Sequence, residues 1–307
     1  MKILLAGKDG QVGWELQQTL APLGEVVACD RATLDLTNPD QIVSVVRAVK
    51  PEVIVNAAAY TAVDQAESEP ELAFAVNAKA PGILAEEAKR LGALLVHYST
   101  DYIFDGTKTS PYVEDDEPGP LSCYGRTKLA GERAILATGS ANLIFRTGWV
   151  YGLRGRNFLL TMLRLGREKS EIRVVNDQVG APTWCRMIAE ATGRVLSQTA
   201  ISGRGSPEKY GIYHLTAGGQ TSWHGFAERI FATFSLPEQA GAPRLIPIPS
   251  SAYPLPAKRP PYSVLSNAAF AREWGSALPD WQTGLGACRA RMTPGQPAFP
   301  GSPRRIV

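Results

Sequence analysis

Lys2-Ile3-Leu4-Leu5-Ala6-Gly7-Lys8-Asp9-Gly10-Gln11-Val12-Gly13 is the stretch whose reading decides the fold. A short apolar run that stops on glycine is how a buried parallel strand meets a tight turn. Val12, Leu16, Leu20 and Leu23 then recur at helical spacing with polar residues between them, so a helix follows. Gly7, Gly10 and Gly13 stand between the two as GxxGxxG. Glycines there let the backbone turn sharply and approach a pyrophosphate, and the helix N-terminus supplies the attracting field. Dinucleotide binding is the expectation.

Outward from that turn the alternation repeats. Val26 and Val27 lead to Asp30 as a second strand, Asn38-Pro39 opens a helix through Val49, and Val53-Ile54-Val55 is a third strand. An alanine-rich helical stretch from about Pro70 to Arg90 precedes a fourth strand at Leu94-Leu95-Val96. A polar loop over 105–120, a helix starting near Tyr124 and a strand at Leu143-Ile144-Phe145 complete the series. This pattern predicts an α/β chain, a Rossmann-type doubly wound parallel sheet with helices on both faces. After residue 150 Pro and Gly become frequent, and helices over about 156–168, 184–198 and 222–234 are expected among many loops. Residues 1–150 therefore read as a NAD(P)-binding domain to which later segments can return. Residues 151–292 read as a smaller, irregular α/β substrate-binding lobe, and 293–307 as a flexible tail.

Asp30 falls 20 residues after Gly10, at the end of the second strand, where a carboxylate can accept both hydroxyl protons of an adenosine ribose. Arg31 beside it can pair with a 2′-phosphate. NADH and NADPH are both accommodated.

Tyr124-Gly125-Arg126-Thr127-Lys128 is YxxxK, whose i,i+4 spacing brings Tyr124 and Lys128 to one helix face. A tyrosine hydroxyl ordinarily titrates near ~10, so acid–base work near neutrality calls for a cation such as Lys128 nearby. Upstream, the fourth strand runs into His97-Tyr98-Ser99-Thr100-Asp101-Tyr102. Thr100 thus sits at a C-terminal strand edge, where open α/β sheets bind ligands, and can hydrogen-bond a substrate carbonyl.

Composition excludes other classes. Of the 307 residues 44% are apolar, enough for a large core, and 32 Lys and Arg against 29 Asp and Glu leave +3 with no long run of either sign. Nucleic acid is therefore not an expected partner. No stretch approaches the ~18 uninterrupted apolar residues of a membrane span, and no signal-peptide core follows Lys2. Cys29, Cys123, Cys185 and Cys288 are scattered, and His97, His214 and His224 show no zinc spacing, so free thiols, no catalytic metal and a cytoplasmic location are expected. His97 reads as a packed polar residue, Cys123 as a small filler, and Asp115-Asp116-Glu117 as a solvated loop.

GxxGxxG, a strand-end threonine and YxxxK together resemble the extended short-chain dehydrogenases/reductases. More narrowly, five segments resemble the dTDP-4-dehydrorhamnose reductase family: 7–13, Asn56–Asp64 (NAAAYTAVD), Ser99–Gly106 (STDYIFDG), Tyr124–Glu132 (YGRTKLAGE) and Phe145–Tyr151 (FRTGWVY). The likeness continues through Asn176–Thr183 (NDQVGAPT) and Arg259-Pro260, leaving out the tail. It implies NAD(P)H-dependent reduction of the 4-keto group of dTDP-4-dehydro-L-rhamnose, the last step of dTDP-rhamnose biosynthesis. By the same resemblance Tyr124 donates the proton, Lys128 lowers the tyrosine pKa and holds the nicotinamide ribose, and Thr100 orients the carbonyl. Gly10, Gln11 and Val12 fall on the pyrophosphate, Asp30 on the ribose, Asp35 and Leu36 near the adenine, and Ala59, Tyr60, Thr61 and Tyr98 along the cofactor. Thr100, Asp101, Tyr102, Trp149 and Asn176 fall on the sugar side, with Arg259 offsetting the diphosphate charge.

The resemblance also brings a magnesium ion bridging a dimer through acids such as Glu15. Arg186 and Cys288-Arg289-Ala290-Arg291 place cations where further acids are wanted, which argues against the ion and for a monomer or weak homodimer. Two rival readings share these motifs: a nucleotide-sugar dehydratase or epimerase, and a non-catalytic regulatory subunit like that of methionine adenosyltransferase. Dehydratases of the superfamily follow the threonine with Asp-Glu, whereas this chain has Asp101-Tyr102. The intact relay weighs against a purely binding role.

Overall fold

The computed structural model describes residues 1–201, 209–234 and 243–292; the expected tail, 293–307, lies outside them. The first half alternates as its pattern predicts: β1 (Lys2–Ala6), α1 (Gln11–Leu20), β2 (Glu25–Cys29), α2 (Pro39–Val49), β3 (Val53–Asn56), α3 (Pro70–Phe74), α4 (Ala80–Leu91), β4 (Leu94–Thr100), α5 (Cys123–Thr138) and β5 (Asn142–Thr147). The second half holds β6 (Val150–Tyr151), α6 (Phe158–Glu168), β7 (Glu171–Val175), β8 (Val179–Gly180), β9 (Thr183–Trp184) and α7 (Cys185–Ile201). It continues with β10 (Gly211–His214), β11 (Thr221–Ser222), α8 (Trp223–Thr233), β12 (Arg244–Ile248), α9 (Ala268–Trp274) and α10 (Trp281–Ala290).

Six strands form one parallel sheet in the order β10-β5-β4-β3-β1-β2. Side chains alternate between its faces. Ile3, Leu5, Val55, Val96 and Phe145 pack with Leu16 and Leu20 of α1 and Val195 and Leu196 of α7. Leu4, Ile54, Leu95 and Ile144 pack with Ile42 and Val46 of α2, Leu84 and Ala88 of α4 and Ile135 of α5. Burial of each such side chain contributes about 1.5–3 kcal/mol, which is why both faces must be covered. Strand order reverses between β1 and β3, and ligands of open α/β sheets bind in the crevice outside the strand ends at that point. β10 joins the sheet and α7 packs on α1, so the first layer draws on residues well beyond 150. The pairs β7–β12, β8–β11 and β6–β9 and helices α6, α8 and α10 make the irregular second lobe.

Local chemistry sets the element ends. Asn38 caps α2 through the Gln41 N–H, and Ser122 caps α5 through the Gly125 N–H, which places Tyr124 in the first turn of α5. The stretch expected as one helix over 70–90 is interrupted: a π turn at Ala75–Lys79 lies between α3 and α4. Pro81, four residues after Asn77, has no N–H to return to the Asn77 carbonyl, and tertiary bonds hold the break. Asn77, fully buried in that turn, accepts the Tyr60 N–H at 2.8 Å and donates to Tyr60 O at 3.0 Å and Thr127 Oγ1 at 3.1 Å.

Candidate active site

Gly7 and Gly13 are demanded by the turn they share. Gly7 adopts φ +85°, and a Cβ on Gly13 would stand 2.0 Å from Gly7 O. The turn is fixed by the Gly7 and Lys8 N–H groups, both donating to Cys29 O at 3.0 Å. Gly10 begins α1 without a side-chain cap, so the N–H groups of Gln11 and Val12 are left to a ligand at the helix N-terminus. A Cβ on Gly7 would also meet Ala58 N at 2.7 Å, which shows how closely the chain leaving β3 approaches the loop; Ala59 and Thr61 follow in that segment. This cradle fits a dinucleotide pyrophosphate. On its far side the Gln11 Oε1 accepts from Asn157 Nδ2 at 2.8 Å, and Arg154 covers the Trp14 ring at 3.5 Å, closing the second lobe onto α1.

Asp30 ends β2 beside the loop, with both carboxylate oxygens engaged. Oδ2 pairs with Lys8 Nζ at 2.8 Å, and Oδ1 accepts from Thr33 N and Oγ1 at 3.0 and 2.9 Å. These bonds, Lys8 first, hold its carboxyl well below the usual range and raise Lys8. The glycine loop therefore brings its own cation to the carboxylate at the end of β2, a pairing that spacing alone does not signal. Asp35 accepts from Thr37 N and Oγ1 in the turn before α2, and Leu36 is buried beside it.

At the C-terminal edge of β4, the Thr100 hydroxyl lies beside that of Tyr124 and eases its ionisation. Thr100 Oγ1 also donates to Asp101 Oδ1 at 3.0 Å and accepts the Tyr102 N–H at 3.1 Å. Gly125 makes the approach possible: a Cβ there would lie 2.2 Å from Tyr102 O. Burial pushes the Tyr124 hydroxyl up to about 12, the Asp101 charge adding to it and the Thr100 hydroxyl opposing it. Lys128, 1% exposed, is brought down to about 8 by burial. Its Nζ donates to Tyr98 O at 2.6 Å and lies 3.1 Å from His97 Nε2, so its bonds run to β4, not to the tyrosine hydroxyl. What Tyr98 offers this cluster is its carbonyl; its hydroxyl is bonded to Thr192 Oγ1 on α7.

Asp101 is 3% exposed, accepts from Thr100, and is raised to about 6 by burial, with the Ser263 and Thr100 hydroxyls opposing the rise. Tyr102 meets Tyr124 edge-on with centroids 6.1 Å apart and lies within the electrostatic reach of Arg259. Arg259 makes a bidentate pair with Asp64, at 2.9 and 2.6 Å. That pair joins the loop before β8's neighbour Tyr262 to the loop after β3, a partnership that spacing 195 residues apart in sequence does not signal. Tyr60 turns its hydroxyl to Glu69 at 2.7 Å. Trp149, at φ +48°, stacks flat on Trp223 with centroids 3.4 Å apart, and a Cβ on Gly180 would sit 2.3 Å from its ring. Asn176 is exposed at the end of β7, its N–H bonded to Ile248 O. Thr100, Asp101, Tyr102, Tyr124 and Arg259 are thus brought together, with Trp149 and Asn176 on the second-lobe side.

The Arg186 guanidinium occupies Glu15, the acid that the magnesium expectation named. It bonds Glu15 at 3.2 Å, Gln18 at 3.1 Å and Glu190 at 2.6 Å. A fixed cation between the two carboxylates disfavours a second one. The donor set does not fit magnesium, and among the described residues no group of three or more His, Cys, Asp or Glu side chains is arranged to hold a metal.

Comparison with known proteins agrees with this geometry. The RmlD substrate binding domain family matches residues 1–293. A dTDP-4-dehydrorhamnose reductase of Burkholderia thailandensis is 52% identical over 291 residues, 94% of this chain and 98% of the relative. The crystal structure of a dTDP-4-dehydrorhamnose reductase from Clostridium acetobutylicum is 39% identical with a TM-score of 0.85, covering 94% of this chain and 98% of that one. One from Bacillus anthracis, in complex with NADP, is 35% identical with a TM-score of 0.84, covering 95% and 99%. A Thermus thermophilus UDP-glucose 4-epimerase complexed with NAD, at 21% identity and a TM-score of 0.76 over 94% of this chain and 98% of that one, shares the fold. The GxxGxxG cradle, the Thr100–Tyr124 pair and these matches lead to one conclusion: the chain belongs to the dTDP-4-dehydrorhamnose reductase family, on the Rossmann-type fold of the short-chain dehydrogenases/reductases.

Proposed function

We propose that this chain reduces the 4-keto group of dTDP-4-dehydro-L-rhamnose to give dTDP-L-rhamnose, with NADPH or NADH, as the last step of dTDP-rhamnose biosynthesis. The observation that carries the reading is the Thr100 and Tyr124 hydroxyls set side by side at the sheet's C-terminal edge, in a chain whose relatives are reductases of that name. Gly7, Gly10, Gln11, Val12 and Gly13 would hold the pyrophosphate and Asp30 with Lys8 the adenosine ribose. A nicotinamide held there would supply the hydride that the carbonyl carbon needs. Thr100 orients the carbonyl by hydrogen bonding its oxygen. Tyr124, kept protonated at neutral pH by burial, gives its proton to that oxygen, so the ketone becomes an alcohol and the tyrosine a tyrosinate. Lys128, one helical turn along, stabilises the tyrosinate and supports its reprotonation.

Residues 1–150 with β10 form the cofactor side in this reading, and 151–292 most of the nucleotide-sugar side, with Trp149, Asn176 and Arg259 facing the sugar nucleotide. We place the enzyme in the cytoplasm as a monomer or weak homodimer; its four cysteines are all unpaired and buried, and among the described residues no helix is long and apolar enough to cross a membrane. The test supplies purified protein with NADPH or NADH and enzymatically generated dTDP-4-dehydro-L-rhamnose. It follows loss of reduced-nicotinamide absorbance and identifies the sugar by NMR. Oxidation with dTDP-L-rhamnose formed is expected; a folded, cofactor-binding protein that oxidises neither cofactor overturns the reading.

A further inference from the structure

Behind Lys128 lies a buried chain that the reaction above does not use. His97, 1% exposed in β4, has its Nε2 3.1 Å from Lys128 Nζ and its Nδ1 3.1 Å from Asn56 Nδ2. Asn56, also 1% exposed, ends β3, and its Oδ1 accepts the Ala58 N–H at 3.2 Å. That last bond fixes the directions of all the others. A backbone N–H can only donate, so the Asn56 atom facing Ala58 is the oxygen, and the atom facing His97 is the NH2 group. His97 Nδ1 must then accept. A neutral imidazole accepting at Nδ1 carries its proton on Nε2, and that N–H points at Lys128. An ammonium at Lys128 would set N–H against N–H, whereas an amine offers a lone pair to the imidazole and still donates to Tyr98 O at 2.6 Å.

We infer that His97 is a positioning residue for the relay: locked in its Nε2–H tautomer by Asn56, it turns a donor toward Lys128 and so loosens that lysine's hold on its own proton in the cofactor-free protein. Burial acts in the same direction on both groups, lowering His97 far below its ordinary range and Lys128 to about 8. The other ionisable groups around Lys128 are Tyr124 and Glu132 on α5, Tyr98 on β4, Asp101 after it, and Arg146 on β5. Glu132 favours the ammonium, but its charge is taken up by Arg146 at 2.8 Å. On the helices packed against α5, Glu71, Lys79, Glu86, Lys89 and Arg90 are exposed, and Glu87 pairs with Arg47 and Arg90. A lysine that holds its proton loosely near neutral pH can pass it to the tyrosinate and take another from water, which a lysine near ~10.4 does less readily.

The inference deepens the reductase reading and rests on it for the role of Lys128, but its test needs no substrate. NMR of the cofactor-free protein labelled with 15N-histidine and 13Cε-lysine reports the His97 tautomer and the Lys128 titration, the latter assigned by its absence in Lys128→Arg. The expected result is a protonated Nε2 with a bare Nδ1, and a Lys128 midpoint well below ~10.4 that rises by roughly one pH unit in His97→Gln, whose carbonyl can accept from an ammonium. A protonated Nδ1, or a folded His97→Gln with the same lysine midpoint as the wild type, overturns it. If His97→Gln does not fold, the wild-type tautomer and midpoint decide: Nε2–H with a lowered midpoint supports the inference, and an ordinary midpoint overturns it. In turnover, the alkaline limb of kcat should move to higher pH in His97→Gln while the acid limb stays. A protein with the expected tautomer and midpoint that reduces no nucleotide sugar would refute the reductase reading and leave this one standing.

Discussion

At Tyr124 the ordinary acidity of a phenol is pushed the wrong way for a base and the right way for an acid. Burial keeps the hydroxyl protonated across the physiological range, so its proton is present when the carbonyl oxygen gains charge. Tyr124→Phe should therefore bind cofactor as the wild type does, measured by fluorescence titration, and lose at least ~100-fold in turnover, the scale of a lost general acid. Asp101 gives a second prediction. Its carboxyl titrates at about 6 in the folded protein against an ordinary value of 3.8. The folded state then holds more protons between those values, so the stability this group contributes falls as pH rises from about 4 to 6. Asp101→Asn removes the cost of that buried charge, which amounts to about 3 kcal/mol at full ionisation. Thermal unfolding should show the variant gaining on the wild type between about pH 4 and pH 7; a constant difference would refute the burial argument. The nearness of Thr100, Tyr124 and Lys128 was legible in the sequence, because YxxxK spacing sets the last two on one helix face and the strand pattern puts Thr100 at a strand end. Lys8 against Asp30, and Asp64 against Arg259, were not, because each pair is chosen by how loops meet after folding.

Among the elements, α5 carries the relay on one face and a buried anchor on the next turn. Glu132 and Arg146 of β5 are 1% and 3% exposed and share bonds of 2.8, 3.1 and 3.3 Å. Arg146 also donates to Glu114 O at 3.1 Å, and Glu114 in turn accepts the His214 N–H from β10, so one ion pair ties α5, the 105–120 loop and the outer strand together. Glu132→Gln leaves a guanidinium buried without its counter-charge and should lower unfolding stability by about 3–5 kcal/mol in denaturant titration. A loss under 1 kcal/mol would show the pair to be dispensable. Strand and helix positions in the first half follow from apolar period and capping residues, as Asn38-Pro39 illustrates for α2. The π turn inside the 70–91 stretch follows only in part: Pro81 withholds the N–H that an unbroken helix would return to Asn77 O, whereas the buried bonds of Asn77 to Tyr60 and Thr127 that hold the turn are set by folding. Helices α9 and α10, short and set among Pro and Gly, likewise lacked the length that makes a periodic signal readable.

Taken whole, the molecule closes its two lobes on each other through polar bridges at opposite ends of the crevice: Gln11 to Asn157, and Asp64 to Arg259. Arg186 makes a third bridge, from α7 to Glu15 on α1, and fills with its own charge the place a divalent ion would need. The particle mass measured by light scattering should thus be the same with and without a chelator; dissociation on chelation would show a metal-dependent assembly. One consequence reaches back before the molecule is complete. The outer strand β10 follows β5 by about 60 residues, which a ribosome adds at roughly 5–20 residues per second. For several seconds the nascent chain holds a parallel sheet whose β5 margin has no neighbour, inviting adventitious strand pairing with another polypeptide. Newly made chains should be most prone to co-aggregate in that interval, before Gly211–His214 emerges to seal the margin.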